Sequence, residues 1–348
     1  MMYIRAAASI SPQASFEQLL VQPALSGSNR LYCAEPDYTK LIDTRMIRRM
    51  SRIIKMGVAA AMDCLNKANE KMPDAIITGT AYGCLADTEV FLAKMVENKE
   101  SLLTPTAFIQ STHNTVGAQI ALLLKCHQYN NTFVHRGFSF ESALLDAITL
   151  IKEQQWSTAL VGGVDEVTDT SHAILSRFGL YKNEPVDGAH MFDEENKGTI
   201  AGEGASFFLL GQQSSGNDYA QLKAVETFYK PKSFAQVKQH IESFLVAQHI
   251  APGEIDVLIT GENGDIQNDR LYIPLHQSVF AGIQQRLRFK QWCGEYPTAT
   301  AFALWLAANI LQSGKVPAYT EAGAKPKTIL IYNHYQQVHH SLYLVAAC

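Results

Sequence analysis

Apolar and polar residues alternate along the chain in two periods, one typical of strands and the other of helices. Short apolar runs at 73–79, 158–163 and 205–210 predict buried strands. Between the first two, apolar residues recur at helical spacing from Ser139 to Gln155, which predicts a helix with Ser139 as its N-cap. Alternating strands and helices of this kind are typical of an α/β protein.

The same succession of elements restarts after the polar stretch QQSSGND at 212–218. A helix at 298–312 is hydrophobic nearly all round, which predicts burial on every side. The remaining predicted elements are a helix at 233–248 and strands at 222–229, 256–260, 328–332 and 342–345. The repetition predicts two pseudo-duplicated halves, 1–213 and 214–348, joined in the polar stretch.

Composition narrows the classes of function. The 348 residues are 47% hydrophobic and 18% charged, which is enough for a large buried core. The net charge of -4 argues against a nucleic acid partner, because phosphate binding needs a basic surface. We expect no membrane span and, since the first residues lack a signal pattern, a cytoplasmic location. The six cysteines have no CxxC spacing, so we expect neither a metal site nor a cofactor.

Four short motifs are more specific together than any one of them alone. They are TRMIRRMSR at 44–52, QSTHN at 110–114, GGVDE at 162–166, and FD at 192–193 followed by GEGA at 202–205. In this order they resemble motifs of the β-ketoacyl synthases of the elongating type. The resemblance implies the five-layered αβαβα thiolase fold, an α/β architecture of two related halves.

Enzymes of that family need three catalytic side chains: a cysteine that holds the acyl group as a thioester, and two histidines that assist decarboxylation. Counting back from Gly162-Gly163 places the cysteine position at Gly137. The first histidine position falls on Gly261, and the second on Glu295, five residues after a retained Lys290. All three catalytic residues are therefore substituted, while the surrounding motifs remain.

This combination resembles the chain-length factors of bacterial type II polyketide systems. Those subunits lack catalytic activity, pair with an active ketosynthase, and shape the cavity that holds the growing chain. The short chain and the segment CGEYPTA at 293–299 most resemble subunits of aryl-polyene or flexirubin pathways. The resemblance implies two partners for this chain, an active ketosynthase in a heterodimer and an acyl carrier protein.

The resemblance also implies binding surfaces. The basic stretch is expected to be one helix whose arginines, at i, i+3, i+4 and i+7, either dock the carrier protein or form a solvated face. These residues are Arg45, Arg48, Arg49 and Arg52. The expected acyl cavity and dimer interface comprise Thr112, His113, Asn114, His135, Phe138 and Phe140, although the two phenylalanines could equally be core residues.

Two other functions remain open from the sequence. Ser139 could replace the missing nucleophile and act with Glu295 in an acyltransferase or hydrolase, although a capping role is the simpler interpretation. Alternatively, the chain could be a homodimeric acyl-binding scaffold without turnover. Glu262, Asp265 and Glu295 could form a carboxylate cluster whose mutual repulsion raises a pKa. Otherwise Glu295 accepts a hydrogen bond from a core backbone group or pairs with Lys290.

His339 and His340 are adjacent in a predicted strand. Neighbouring strand residues point to opposite faces of a sheet. This pair is therefore poorly suited to bind one metal ion.

Overall fold

The structure, a computed structural model, describes residues 1–23, 27–186, 190–193, 197–317 and 324–348. Its strands are β1 (Met2–Ile10), β2 (Arg30–Leu31), β3 (Ala75–Gly79), β4 (Tyr129–Phe133), β5 (Thr158–Asp165), β6 (Ala201–Gly202), β7 (Gly204–Gly211), β8 (Ala220–Tyr229), β9 (Val257–Thr260), β10 (Gln285–Arg288), β11 (Thr328–Tyr335) and β12 (His339–Ala346).

Its α-helices are α1 (Phe16–Val21), α2 (Thr44–Ile47), α3 (Arg52–Lys67), α4 (Leu85–Glu97), α5 (Pro105–Gln110), α6 (Thr115–Leu124), α7 (Ser139–Lys152), α8 (Asp169–Arg177), α9 (Phe234–Ala247), α10 (Ile266–Asp269), α11 (Tyr272–Gln277), α12 (Lys290–Cys293) and α13 (Thr300–Ser313). Short 3-10 helices occupy Tyr38–Lys40, Arg136–Phe138 and Pro252–Glu254.

Ten strands form one sheet in the order β10-β9-β11-β12-β8-β1-β7-β5-β3-β4. It consists of two sets of five strands that meet where β1 pairs with β8. The strands of each set can be numbered one to five along the chain. Read from the outer edge of the sheet to the β1–β8 junction, both sets then have the order third, second, fourth, fifth, first. This shared order is the pseudo-duplication that the sequence predicts. The proposed boundary between 213 and 214 lies in the loop that joins β7 to β8.

Side chains on opposite faces of the strands build separate apolar cores. Helices α7 and α13 share a central core with both sets of strands, including Ile77 of β3 and Ile259 of β9. On the other face of the first set, Ile76 lies in a core with α3 and α6. On the other face of the second set, Leu258 lies in a core with α9 and α11. The five-layered αβαβα architecture is therefore confirmed.

Most predicted helices and strands appear within a few residues of their predicted bounds. The basic stretch is the exception, because it does not form one continuous helix. The chain turns between the end of α2 at Ile47 and the start of α3 at Arg52. Within the described part of the chain, no helix has both the length and the apolar character that crossing a membrane requires.

Candidate functional site

The turn between β4 and α7 carries Gly137, the position that the sequence predicts to correspond to the family's cysteine. Gly137 lies buried in the 3-10 helix of this turn, directly after Arg136, whose φ of 48° is in the left-handed region. A Cβ atom at position 137 would lie 2.7 Å from Cβ of Tyr335. Real Cβ atoms do not approach so closely, so Tyr335 occupies the space that a nucleophile would need.

Ser139 is fully buried and is the first residue of α7, so the prediction that it is the N-cap is wrong. Phe138 holds the N-cap position without a side-chain hydrogen bond. The Ser139 hydroxyl donates to the carbonyl oxygen of Arg136 and accepts from the backbone N–H of His135, both at 2.8 Å. These bonds brace the preceding turn. Within the described chain, no hydrogen bond joins Ser139 to Glu295.

The first histidine position, Gly261, is also closed to a side chain. A Cβ atom there would overlap Oδ1 of Asn333 and would lie 3.1 Å from the hydroxyl of Tyr272. Asn333 and Tyr335 are two residues apart on β11 and therefore share a face of the strand. One face of one strand thus fills the space at two of the three substituted positions.

The third position holds a buried ion pair. Lys290 Nζ donates to Oε2 of Glu295 at 2.7 Å and to the carbonyl oxygen of His334 at 3.3 Å. The amide of Asn263 donates to the same Oε2 at 2.7 Å. Lys290 is 0% exposed and Glu295 5% exposed. The carboxylate is therefore bound by fixed internal donors, and the predicted pairing of Lys290 with Glu295 is confirmed.

The predicted cluster of three carboxylates does not form, because each group has separate partners. Glu262 accepts from Thr260 and forms ion pairs with Arg288 at 3.1 Å and with His276. Desolvation acts to raise the pKa of Glu262, but the His276 hydrogen bond and the Arg288 charge outweigh it and lower that pKa. Asp265 caps α10 and accepts the N–H of Gly198.

A different carboxyl group in this region has a perturbed pKa. Burial raises the pKa of Asp269 to about 7, despite hydrogen bonds from the backbone N–H groups of Asn263 and Gly264. Among the described residues, no three His, Cys, Asp or Glu side chains converge as metal ligands.

A cavity of about 540 Å³ lies between α4, α8 and the segment that follows Glu295. Its wall is mostly apolar and includes three tyrosines. The hydroxyl of one of them, Tyr181, donates to the carbonyl oxygen of Glu295 at 3.3 Å. The lining residues are Tyr82, Leu85, Thr88, Glu89, Leu92, Ala93, Glu166, Val167, Thr170, Ser171, Ile174, Leu175, Tyr181, Gly202, Tyr296 and Pro297.

None of the six residues predicted for the acyl cavity lines this one. Phe138 packs edge-on against His339, with ring centroids 4.7 Å apart. Phe140 is fully buried against Phe208 in the central core. Both phenylalanines therefore pack internally, which was the alternative interpretation.

The other four predicted cavity residues lie at or near the surface. Thr112 is half-buried and donates to the carbonyl oxygen of Ile109, while His113, Asn114 and His135 are exposed. They lie near the start of α6 and just after β4, the edge strand of the sheet. Periodicity could not identify the lining residues, because the lining comes from segments that are distant in sequence.

The four arginines of the basic stretch do not share one surface. Arg45, Arg48 and Arg49 are exposed, and Arg45 forms an ion pair with Asp43. Arg52 instead points inward and donates through two nitrogens to Glu203 of the GEGA motif, at 2.7 and 2.5 Å. It also pairs with Glu35. Because Arg52 is held by the buried Glu203 and by the exposed Glu35, it joins α3 to the GEGA motif.

His339 and His340 lie in β12 and face opposite sides, as predicted. His339 contacts Phe138, whereas His340 stacks on Phe228 and contacts the hydroxyl of Tyr332 at 3.0 Å. The two rings lie in different environments and do not form one site.

A protein-family model, a curated relative and several solved structures all match this chain. Residues 33–215, more than half of the chain, match the family model described as "Beta-ketoacyl synthase, N-terminal domain". A 3-oxoacyl-[acyl-carrier-protein] synthase 2 from Synechocystis is 25% identical over 189 residues. That match covers 51% of this chain and only 45% of the cyanobacterial protein.

Solved structures resemble the whole chain. The ishigamide ketosynthase/chain length factor superimposes with a TM-score of 0.82 at 17% identity, covering 100% of this chain and 99% of that one. A ketosynthase in complex with its chain length factor from Xenorhabdus doucetiae gives 0.78 at 15% identity, with 100% and 98% coverage. A β-ketoacyl synthase from Burkholderia phymatum gives 0.79 at 12%, with 100% and 99% coverage. At such low sequence identities, the similarity shows a shared fold.

Proposed function

Because the chain belongs to the β-ketoacyl synthase family, we propose that it is a non-catalytic subunit that pairs with an active ketosynthase and holds part of the acyl chain. The observation that carries this proposal is how the three catalytic positions are filled. Gly137 faces Tyr335, Gly261 faces Asn333, and the second histidine position is a carboxylate neutralised by a buried lysine.

A condensing enzyme requires a thiolate, and it requires donors that stabilise the enolate oxygen of the malonyl unit. Neither Gly137 nor Gly261 supplies any side chain for these tasks. Glu295, bound to Lys290 and Asn263, accepts hydrogen bonds where a donor would be needed. The packing therefore supports a subunit that is retained for its shape and its contacts.

The cavity between α4 and α8 supports a role in acyl binding. Its volume of about 540 Å³ is within the usual range for a site that encloses a small ligand. Leu85, Leu92, Ile174 and Leu175 supply an apolar wall suited to a hydrocarbon chain. Leu92 and Ile174 are about half exposed, so the cavity opens to the surface there.

The surface suits the two proposed partners. Among the strands that the structure describes, β4 is bonded to β3 alone, which leaves its other edge open for a neighbouring strand. Exposed Arg45, Arg48 and Arg49 provide positive charge for an acidic carrier protein. The neighbouring structures named as ketosynthase with chain length factor make this assembly the natural one to test, with an aryl-polyene or flexirubin pathway as the proposed context.

The test is to co-express the chain with an active ketosynthase from the same genome and to purify through a tag on this chain alone. We expect a one-to-one heterodimer that condenses malonyl and acyl units on the carrier protein. The chain purified alone should release no carbon dioxide from malonyl-carrier protein. Condensation by the isolated chain at the rate of the pair would overturn the proposal.

The two alternative functions have distinct readouts. Acylation of Ser139 by an acyl thioester would add the acyl mass to the intact protein, but the buried hydroxyl and its two backbone bonds do not favour it. A homodimeric scaffold would give twice the chain mass in native mass spectrometry and no exchange of subunits with the ketosynthase.

A further inference from the structure

The apolar cavity contains a carboxyl group that forms no ion pair with any residue in the described part of the chain. Glu166 is only 7% exposed and lines the cavity wall. Its Oε1 accepts the backbone N–H of Ala86 at 3.0 Å, at the start of α4. Among the described residues, no hydrogen bond reaches Oε2 and no ion pair includes Glu166. Arg52, the cation whose charge acts on it, is already paired with Glu203 and Glu35.

Placing a carboxyl group in an apolar wall lowers the stability of the folded chain. A buried carboxyl group without a full set of hydrogen bonds is destabilising. Accordingly, burial raises the pKa of Glu166 to about 7, and the charges of Asp87 and Glu203 reinforce the shift. Oε1 caps α4, so the capping role explains the position of only one of the two carboxyl oxygens.

A second carboxylate lies on the same wall. Glu89 also lines the cavity, but its Oε1 accepts a hydrogen bond of 2.5 Å from the hydroxyl of Thr168. Glu89 is therefore held at one oxygen, and its side chain is only half-buried. Glu166, at 7% exposed, is the more deeply buried of the two, so its second oxygen is the one that depends more on a hydrogen bond from a ligand.

We propose that Glu166 selects an acyl chain that carries a hydrogen-bond donor, such as a hydroxyl group, over a plain hydrocarbon chain. This inference rests on the proposed acyl-binding function of the same cavity. The apolar residues on α4 and α8 hold the hydrocarbon part, and Oε2 accepts the donor where the chain passes Glu166. A chain without a donor leaves the carboxyl group unsatisfied, and this penalty is the source of the selectivity.

The test uses three sets of N-acetylcysteamine thioesters and the full-length chain. The first is octanoyl, the second carries a hydroxyl group at successive carbon atoms, and the third carries a methoxy group, which can only accept. At a pH well above 7, the best hydroxylated probe should bind about tenfold more tightly than its methoxy counterpart, since a hydrogen bond to an ionised group has about that strength. The ratio should fall as the pH drops below about 7, where the protonated carboxyl group can donate.

The variant Glu166→Gln keeps an acceptor for Ala86 and replaces Oε2 by a donating amide. We expect the hydroxyl-to-methoxy ratio to fall to about one or to reverse, which a purely structural role for Glu166 would not cause. Glu97→Gln, an exposed change at the end of α4, should leave the ratio unchanged. Circular dichroism of each variant checks that it is folded.

The outcomes distinguish the role of Glu166 from the acyl-binding function of the cavity. Equal binding of all three probe types by the wild-type chain would overturn the role of Glu166 and leave the acyl-binding function standing. Binding of none of them would count against both. A ratio unchanged in Glu166→Gln would also overturn the inference.

Discussion

Tyr335 of β11 packs directly over Gly137, so that a Cβ atom at position 137 would lie 2.7 Å from its own Cβ atom. The two residues belong to different halves of the chain. Burial, reinforced by Tyr181, Tyr82 and Glu295, raises the pKa of Tyr335 well above its usual value, so it is a neutral packing group. Tyr335 therefore fills the space beside the position that the sequence predicts for the family's nucleophile.

The first prediction concerns restoring the nucleophile. Gly137→Cys should remain inactive in condensation and should destabilise the chain by about 1–3 kcal/mol, because it overpacks a filled site. Denaturant unfolding measures this change. Gly27→Ala is a matched control, since nothing lies within 4 Å of a Cβ atom there. Cysteine at position 137 should cost less in a Tyr335→Gly background, which lacks the clashing Cβ atom, than in the parent; an equal cost in both would show that the strain arises elsewhere.

The second prediction concerns the buried ion pair. Lys290→Met should lower the free energy of unfolding by about 3–5 kcal/mol, because it leaves Glu295 charged and buried. The double variant with Glu295→Leu should be more stable than Lys290→Met alone. Lys67→Met is the control: it removes an exposed pair with Asp63 and should change stability by less than about 1 kcal/mol. Equal costs for the two lysines would contradict this account.

The third prediction is a loss of stability in acid. Desolvation lowers the pKa of His340 from 6.5 to about 4, so protons bind the unfolded chain more readily. The stability from this group is present above pH 6.5 and is lost as the pH falls toward about 4, by up to about 3 kcal/mol. Asp269, with its pKa raised to about 7, acts in the opposite sense.

The measurement for His340 is therefore a difference between variants. His340→Phe should lose stability less steeply than the parent between pH 6.5 and about 4, as followed by urea unfolding at each pH. The exposed His127→Phe should keep the slope of the parent. Parallel profiles for His340→Phe and the parent would exclude His340 as the cause.

The fourth prediction distinguishes the stabilising role of Arg52 from the proposed docking role of Arg48 and Arg49. Arg52→Met should reduce stability by roughly 3 kcal/mol, because it leaves the buried Glu203 without its cation. Arg48→Glu combined with Arg49→Glu should leave thermal unfolding unchanged and weaken carrier-protein binding by the heterodimer, with a strong dependence on salt. Titration of labelled carrier protein measures this affinity. Unchanged affinity would place the docking surface elsewhere.

Local sequence patterns account for much of the fold. The helical spacing after Ser139 predicts α7, the apolar stretch at 298–312 predicts α13, and the apolar runs predict the central strands. Local signals failed in the basic stretch, where helical spacing of arginines suggested one face. Instead Glu203, distant in sequence, binds Arg52 and holds it inward. A periodicity of side chains carries no information about such a partner.

By itself, the sequence determined the layers and the two-fold repetition, and it predicted that the family's three catalytic positions fall on Gly137, Gly261 and Glu295. Only the tertiary structure decided what fills those positions and which residues line the cavity. The physical reason is that periodicity reflects contacts between near neighbours along the chain. The contact of β11 with Gly137 and Gly261, and the open oxygen of Glu166 in an apolar wall, arise only where distant segments pack together.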